Sequence, residues 1–340
     1  MVLLLVFLFC ASVPAERALG DIYAASYKTY DTTYEDILKM YLRVMPAQCR
    51  EQSRRRHDLY NEFMYDDLSP RYMEDLMTPE YDRLDDAGKA AKRKELQEKT
   101  LQYMKSKVGY SIQDINGDGT EELLIGSGKS YIYELFTIED GKVRELIKAG
   151  YRYSCNLLKD GSLFRFASDG AGFFGDILFR MNGTGPVQFV KGYYYNGDLG
   201  YANNLNDECW FRITDARNFS ANTMDQHVPS SEVNSWVAEC ESNYANIRFI
   251  PFAAYEKGVS GEGIAVISVN GKTSGSQTVR IRKEANSKSK ILAQKKVGTY
   301  LKAIDTEGDY YQVVVDNKTG YVHKDFITVI TDLPESSAQE

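Results

Sequence analysis

Apolar positions change their spacing near residue 107, and this change separates two kinds of predicted element. Between residues 31 and 106 apolar side chains recur every three or four positions, which predicts amphipathic helices. In DTTYEDILKMYLRVM they fall on one helical face, and Thr32 and Glu35 have the spacing of a capping box. Pro46 then predicts the end of that helix.

Beyond residue 107 apolar and polar residues alternate, which predicts strands. Turn signals recur roughly every twenty residues, about the length of one hairpin, and therefore favour an antiparallel meander. They are Asp140-Gly141, Asp160-Gly161, Asn182-Gly183 and Asn196-Gly197. One late helix is predicted after Ser230, which can cap it.

These patterns predict an α+β fold with several parts. A helical segment at 31–106 is expected to pack on the antiparallel β-rich domain at 107–255. The polar stretch EKGVSGEG at 256–263 is typical of a linker. Short alternating strands at 264–330 predict a small all-β barrel, and 331–340 form a tail.

The N-terminus, MVLLLVFLFCASVPAERALGD, has the short apolar run of a secretory signal peptide, assigned to residues 1–20. Cleavage is expected near Ala15, although no Lys or Arg precedes the apolar run. A lipoprotein anchor at Cys10 is the alternative, with Phe9 where such a motif needs a small residue. The expected location is therefore secreted or associated with the cell envelope.

Export would leave four cysteines, Cys49, Cys155, Cys209 and Cys240. Four cysteines allow three pairings, and the sequence does not choose among them. A bond between Cys209 and Cys240 is weakly preferred, because it would close a loop of about 30 residues. Buried free thiols are the alternative.

The stretch QDINGDGTEELLIG, residues 113–126, concentrates acidic residues and turn signals. Oxygen-bearing residues at alternate positions suit calcium, which is bound by hard oxygen ligands. The candidate ligands are Asp114, Asn116, Asp118, Glu122 and the carbonyl of Thr120. A solvated hairpin turn would have a similar sequence, so that alternative stays open.

This stretch resembles the single DxNxDG calcium loops of FG-GAP and EF-hand proteins. An EF-hand would have Glu at its twelfth position, where this chain has Ile125. The helical segment followed by this loop and hairpins also resembles uncharacterised exported proteins of the Firmicutes type. That resemblance implies no activity.

Four blocks near the C-terminus carry a more specific pattern. They are VRIRKEANSKS, LAQKKVGTYLKAI, GDYYQV and GYVHKDFI, in this order. Together they resemble a bacterial SH3-like domain, a family that implies binding to cell-wall peptidoglycan. Aromatic side chains that could contact such a ligand are Tyr300, Tyr310, Tyr311 and Tyr321. The alternative is that two or more of them fill the barrel core.

Charge agrees with a wall-binding module. Residues 262–330 contain eleven Lys or Arg and seven Asp or Glu, an excess of four positive charges. Since the chain carries −7, the remainder carries −11. The acidic total argues against a nucleic-acid-binding protein.

No nucleophile, base or zinc-ligand pattern of a known enzyme class is recognisable, so no catalytic residue is predicted. The expected function is a non-catalytic wall- or envelope-associated binding protein. A cell-wall hydrolase with an unrecognised active site is the alternative.

Overall fold

The computed structural model describes residues 28–49, 78–148, 153–170, 173–197, 209–213 and 227–334. The predicted signal peptide, Cys10 and residues 50–77 of the helical segment lie outside this part of the chain. The described residues fall into two compact units. Unit 1 contains 113–122 and 130–245 with the chain before residue 33, and unit 2 contains 33–112, 123–129 and 246–340.

Five α-helices lie in the described residues. They are α1 (Tyr34–Cys49), α2 (Pro79–Asp82), α3 (Asp86–Lys107), α4 (Ser230–Ser242) and α5 (Phe252–Tyr255). Within these described residues, no helix combines the length and apolar character needed to cross a bilayer.

Two predicted boundaries of α1 were wrong. The helix continues past Pro46 to Cys49, although the proline has no N–H for the helical hydrogen bond. Burial of Tyr41 and Met45 on this helix offsets that loss. Its cap is one residue later than predicted. Thr33 Oγ1 accepts the Asp36 backbone N–H at 3.2 Å, and the Thr33 N–H donates to Asp36 Oδ2 at 3.4 Å. This reciprocal pair is a capping box in which aspartate replaces glutamate.

The cap predicted for α4 was also wrong. Pro229 occupies the N-cap position without a side-chain hydrogen bond, and Ser230 is already the first helical residue. The extended backbone of Pro229 sets the entry into the helix. Val233, Trp236 and Cys240 are its buried residues.

Unit 1 is an antiparallel meander. Neighbouring strands follow the order β11-β10-β9-β8-β7-β6-β4, with β5 on β4 and β1 on β5. The strands are β1 (Thr29–Tyr30), β4 (Tyr131–Glu139), β5 (Lys142–Lys148), β6 (Tyr153–Leu157), β7 (Leu163–Gly170), β8 (Phe173–Arg180), β9 (Gln188–Asn196), β10 (Trp210–Arg212) and β11 (His227–Val228).

Three of the predicted glycine turns connect consecutive strands. Asp140 and Gly141 have φ of 52° and 75°, which suits a tight hairpin between β4 and β5. Asp160-Gly161 lies between β6 and β7, and Asn182-Gly183 lies between β8 and β9. The tight turn predicted at Asn196-Gly197 was wrong. Asn196 is still paired there, its N–H donating to the Cys209 carbonyl at 2.9 Å.

Unit 2 contains two smaller sets of strands. Strands β2 (Val108–Gln113), β3 (Glu122–Ser127) and β12 (Ile250–Pro251) are adjacent in the order β12-β2-β3. Tyr41 of α1 stacks on Phe252 with ring centroids 5.6 Å apart, and Tyr110 of β2 lies 6.2 Å from the same ring. These contacts bury one aromatic cluster between the helices and β2.

The second set is a seven-stranded antiparallel sheet in the order β15-β14-β18-β17-β16-β13-β19. Its strands are β13 (Ile264–Ile267), β14 (Thr278–Arg282), β15 (Ile291–Lys296), β16 (Tyr300–Glu307), β17 (Tyr310–Val315), β18 (Lys318–His323) and β19 (Ile327–Val329). A 3₁₀ helix, Lys324–Phe326, joins the last two. Alternate residues such as Val279 and Ile281, or Val313 and Val315, build its core.

The predicted mixed fold with antiparallel sheets, one of them at the C-terminal end of the described residues, is therefore confirmed. The packing of the helical segment on the meander stays a prediction, as do the domain boundaries.

Candidate ligand groove and acidic loop

A groove of about 690 Å³ lies on the C-terminal sheet. Strand β14, the loop after it, the end of β18 and the 3₁₀ helix supply its walls. The lining includes Arg280, Arg282, Tyr310, His323, Asp325 and Phe326. We call this feature the β14 groove.

Local sequence explains why β14 contributes cations to this groove. Val279 and Ile281 point into the core, so the alternating Arg280 and Arg282 are excluded from it. Arg280 is exposed, whereas Arg282 Nη1 donates to the Ser289 carbonyl at 2.6 Å and braces the following loop. Arg280 is therefore the arginine more available to a ligand.

The opposite wall is held by hydrogen bonds around the 3₁₀ helix. Lys324 N–H donates to the Asp309 carbonyl at 2.9 Å. His323 is the N-cap of the 3₁₀ helix, and its Nδ1 accepts the Asp325 N–H at 3.3 Å. Tyr310 pairs with His323 across β17 and β18, and their rings meet edge to face at 5.1 Å. Aromatic and charged groups thus share one wall.

The four predicted tyrosines have different surroundings. Tyr310 lines the groove. Tyr311 packs against the module's core, where the structural alternative expected two or more of the four. Tyr321 accepts a hydrogen bond from Gln312 at 3.2 Å, while Lys257 Nζ lies 5.5 Å from the Tyr300 ring.

Sequence reasoning missed the charged lining of the groove. Arg280 and Arg282 alternate with core residues in VRIR, a signal that could have indicated an exposed cationic edge. His323 and Asp325 come close only because the chain turns into the 3₁₀ helix after β18.

The acidic loop at 114–122 is organised by its own backbone. Asp114 accepts N–H groups from Gly117, Asp118 and Gly119 at 2.7–3.2 Å. The Gly119 bond, the largest cause, lowers the pKa of Asp114. Both glycines have positive φ, 76° and 88°, which lets the loop curl around this carboxylate.

Asn116 and Asp118 complete the loop. Asp118 Oδ1 accepts the Thr120 N–H at 2.7 Å, and Asn116 Oδ1 accepts the Asp118 N–H at 3.0 Å. Asn116 Nδ2 also donates to the Gly183 carbonyl at 3.1 Å, tying the loop to the turn between β8 and β9.

Glu122 differs from its exposed neighbour Glu121 because its side chain is wholly buried. Its carboxylate accepts the Ile115 N–H at 3.1 Å and the Thr137 hydroxyl at 3.0 Å. Burial, opposed by these two bonds, raises the pKa of Glu122 to about 7. Within the described residues, no three His, Cys, Asp or Glu side chains are arranged as a ready metal cluster.

Three of the four cysteines that export would leave are unbonded. Cys155, Cys209 and Cys240 are buried free thiols, so the preferred Cys209–Cys240 disulfide was wrong. Cys240 instead packs among apolar residues of α4 and the meander. Burial raises its pKa to about 11, which does not favour a reactive thiolate.

Comparison with known proteins agrees with the C-terminal fold. Residues 277–328 match the family model described as a bacterial SH3 domain, which confirms the resemblance found in the sequence. No curated protein matches the chain.

Proposed function

We propose that this protein is an exported, non-catalytic binding protein that associates with the bacterial cell wall through residues 264–330. The β14 groove carries the proposal, because it offers a cation and aromatic surfaces on a bacterial SH3 domain. Such domains often bind cell-wall material. Peptidoglycan is the proposed partner, and its free carboxylates complement Arg280.

The charge of the module supports the same proposal. Its excess of four positive charges should draw it toward an anionic wall. Attraction of this kind weakens as salt screens exposed charges over a Debye length of about 10 Å at 0.1 M. A contact inside the groove should be less sensitive to salt than a diffuse attraction.

Sedimentation of the full chain with purified walls tests the binding proposal. We expect the protein to pellet with walls at low salt and the supernatant to contain no released wall fragments. Protein that stays in the supernatant would contradict wall binding. Soluble fragments would instead support the alternative, a hydrolase with an unrecognised active site.

We further propose that the acidic loop holds one structural calcium ion. The donors would be Asp114, Asn116, Asp118, Glu122 and the Thr120 carbonyl, oxygen ligands of the type that calcium prefers. A carboxylate has about four acceptor positions, so accepting backbone N–H groups does not exhaust it. Repulsion among these carboxylates also favours a cation.

Thermal unfolding with calcium and with chelator tests this loop. Calcium should raise the midpoint of the wild type and leave that of Asp118→Ala unchanged. Equal wild-type midpoints, with no calcium uptake on titration, would leave a plain hairpin turn.

Export is part of the proposal, because a wall partner lies outside the cytoplasm. N-terminal sequencing of protein recovered from culture medium or envelope should begin close to Glu16. Protein with an intact Met1 in the cytoplasm would argue against it.

A further inference from the structure

His323 lies where the β14 groove meets the 3₁₀ helix. Its ring is close to both the backbone N–H and the side-chain carboxylate of Asp325. Nδ1 is 3.3 Å from the backbone nitrogen of Asp325 and 3.3 Å from Asp325 Oδ2. In the neutral ring, an unprotonated Nδ1 accepts the N–H and caps the helix. The same nitrogen cannot accept that N–H once it carries a proton.

Protonation would therefore exchange one interaction for another. A protonated Nδ1 becomes a donor directed at the Asp325 carboxylate, and the neutral cap becomes an ion pair. The exchange also changes the charge of the groove. Its two arginines and Asp325 give a net charge of +1 with a neutral histidine, and the protonated ring adds one more positive charge.

The other residues around His323 are not of a type that ordinarily changes charge near neutral pH. Tyr310 packs on it from β17, Arg280 and Arg282 line the groove from β14, and Lys324 follows it in the chain. Phe326 lies 6.1 Å from its ring. Among these residue types, histidine is the one that ordinarily changes charge between pH 5 and 8.

Building on the proposed wall binding, we propose that His323 makes the β14 groove a pH-sensitive anion site. In its protonated form His323 offsets Asp325 and strengthens the binding of a carboxylate or phosphate beside Arg280. The shared ligand chemistry is an oxyanion, supplied either by peptidoglycan carboxylates or by phosphate-bearing wall polymers.

Binding of the full chain to purified walls at pH 5.5 and 7.5, at fixed ionic strength, tests this inference. Wild type should bind about fivefold tighter at pH 5.5, the scale of one exposed charge interaction. His323→Asn keeps a side-chain acceptor suited to an N-cap but cannot take up the proton. Its affinity should therefore be equal at the two pH values.

Two further measurements test the role of Asp325 and identify the source of the anion. Asp325→Asn removes the carboxylate that His323 offsets, so its affinity at pH 7.5 should approach that of wild type at pH 5.5. Walls stripped of phosphate-bearing polymers separate the two ligand sources. Binding that survives stripping assigns a carboxylate, and loss of the pH-dependent binding assigns a phosphate.

The outcomes distinguish this inference from the proposal on which it rests. No binding by wild type at either pH overturns wall binding and the switch together. Binding that is equal at both pH values overturns the switch alone. So does a pH dependence that persists unchanged in His323→Asn, because the wall's own titration would then explain it.

Discussion

Charged side chains have different surroundings in the C-terminal module and in the acidic loop. Arg280 lines an open groove from β14, whereas the equally exposed Asp114 accepts three backbone N–H groups. The arginine's charge is available to a partner, while the aspartate's charge already organises a turn. A ligand in the groove would therefore meet an exposed cation, whereas a cation in the loop would share carboxylates that already accept backbone N–H groups.

The two regions also differ in how their geometry is fixed. The groove depends on β14, β18 and the 3₁₀ helix being brought together by a sheet whose core includes Ile281 and Val313. Most hydrogen bonds of the loop join residues within 114–122, although Asn116 also donates to the Gly183 carbonyl and Glu122 accepts from Thr137. Changes that disrupt sheet packing should therefore damage the groove more than the hydrogen bonds within the loop.

The largest expected effect comes from Gly263→Ala, compared with Gly271→Ala. Both glycines have positive φ, 68° and 72°, so each substitution costs about 1–2 kcal/mol of backbone strain. At Gly263 the new Cβ would also collide with the Ala303 carbonyl oxygen, whereas at Gly271 it meets nothing within 4 Å. We expect Gly263→Ala to lose about 1–3 kcal/mol more folding stability than Gly271→Ala, a total of about 2–5 kcal/mol relative to wild type.

Calorimetry of both full-length variants measures this difference as a shift in the module's unfolding transition. Wall binding should follow the same order, with the greater loss in Gly263→Ala. Equal transitions in the two variants would show that the close approach of Gly263 and Ala303 does not constrain the module.

Asp176 differs from Asp114 in the direction of its pKa shift, because Asp176 is buried whereas the exposed Asp114 accepts several backbone N–H groups. It is 8% exposed, and burial, followed by the charge of Glu241, raises its pKa to about 7. The unfolded chain ionises this group near its ordinary value of 3.8, so folding stability should fall as pH rises from about 4 to 7.

Asp176→Asn removes the free-energy cost of ionising a buried carboxyl group. The variant should match wild type near pH 4 and exceed it at pH 8 by up to about 4 kcal/mol, three pKa units at 1.36 kcal/mol each. Denaturant unfolding at pH 4, 6 and 8 measures the difference in unfolding free energy between the variant and wild type. Asp309→Asn, at an exposed position, is the control for the change in net charge. A constant difference at all three pH values would contradict the assigned ionisation.

The adjacent residues Glu121 and Glu122 provide a test of calcium binding by the acidic loop. Glu122 is buried against Ile115 and Thr137, whereas Glu121 is exposed. Calcium at a hundredfold excess over its dissociation constant should stabilise wild type and Glu121→Gln by about 2.7 kcal/mol. Glu122→Gln should lose much of that gain in a thermal-shift titration. Equal gains in both variants would remove Glu122 from the proposed site.

The sequence predicted the C-terminal fold well because its four blocks place apolar residues alternately along several strands. It did not predict the β14 groove, because the approach of His323 and Asp325 to β14 depends on sheet pairing over more than forty residues. The tyrosines show the same limit, since their residue type is equally suited to a core and to a groove. The boundary at Pro46 was missed because burial of neighbours such as Met45 keeps the helix formed past the proline. The boundary at Ser230 was missed because the extended backbone of Pro229 starts α4 without a side-chain cap.

The most direct test of the central claim compares Arg280→Gln with Lys302→Gln in wall binding by the full chain. Both residues are exposed and each variant removes one positive charge from the module, but only Arg280 lines the groove. We expect Arg280→Gln to bind about fivefold more weakly at low salt, the scale of one exposed charge interaction, and Lys302→Gln to stay close to wild type. Equal losses in the two variants would show that the wall attracts the module's overall charge and would contradict a binding site in the β14 groove.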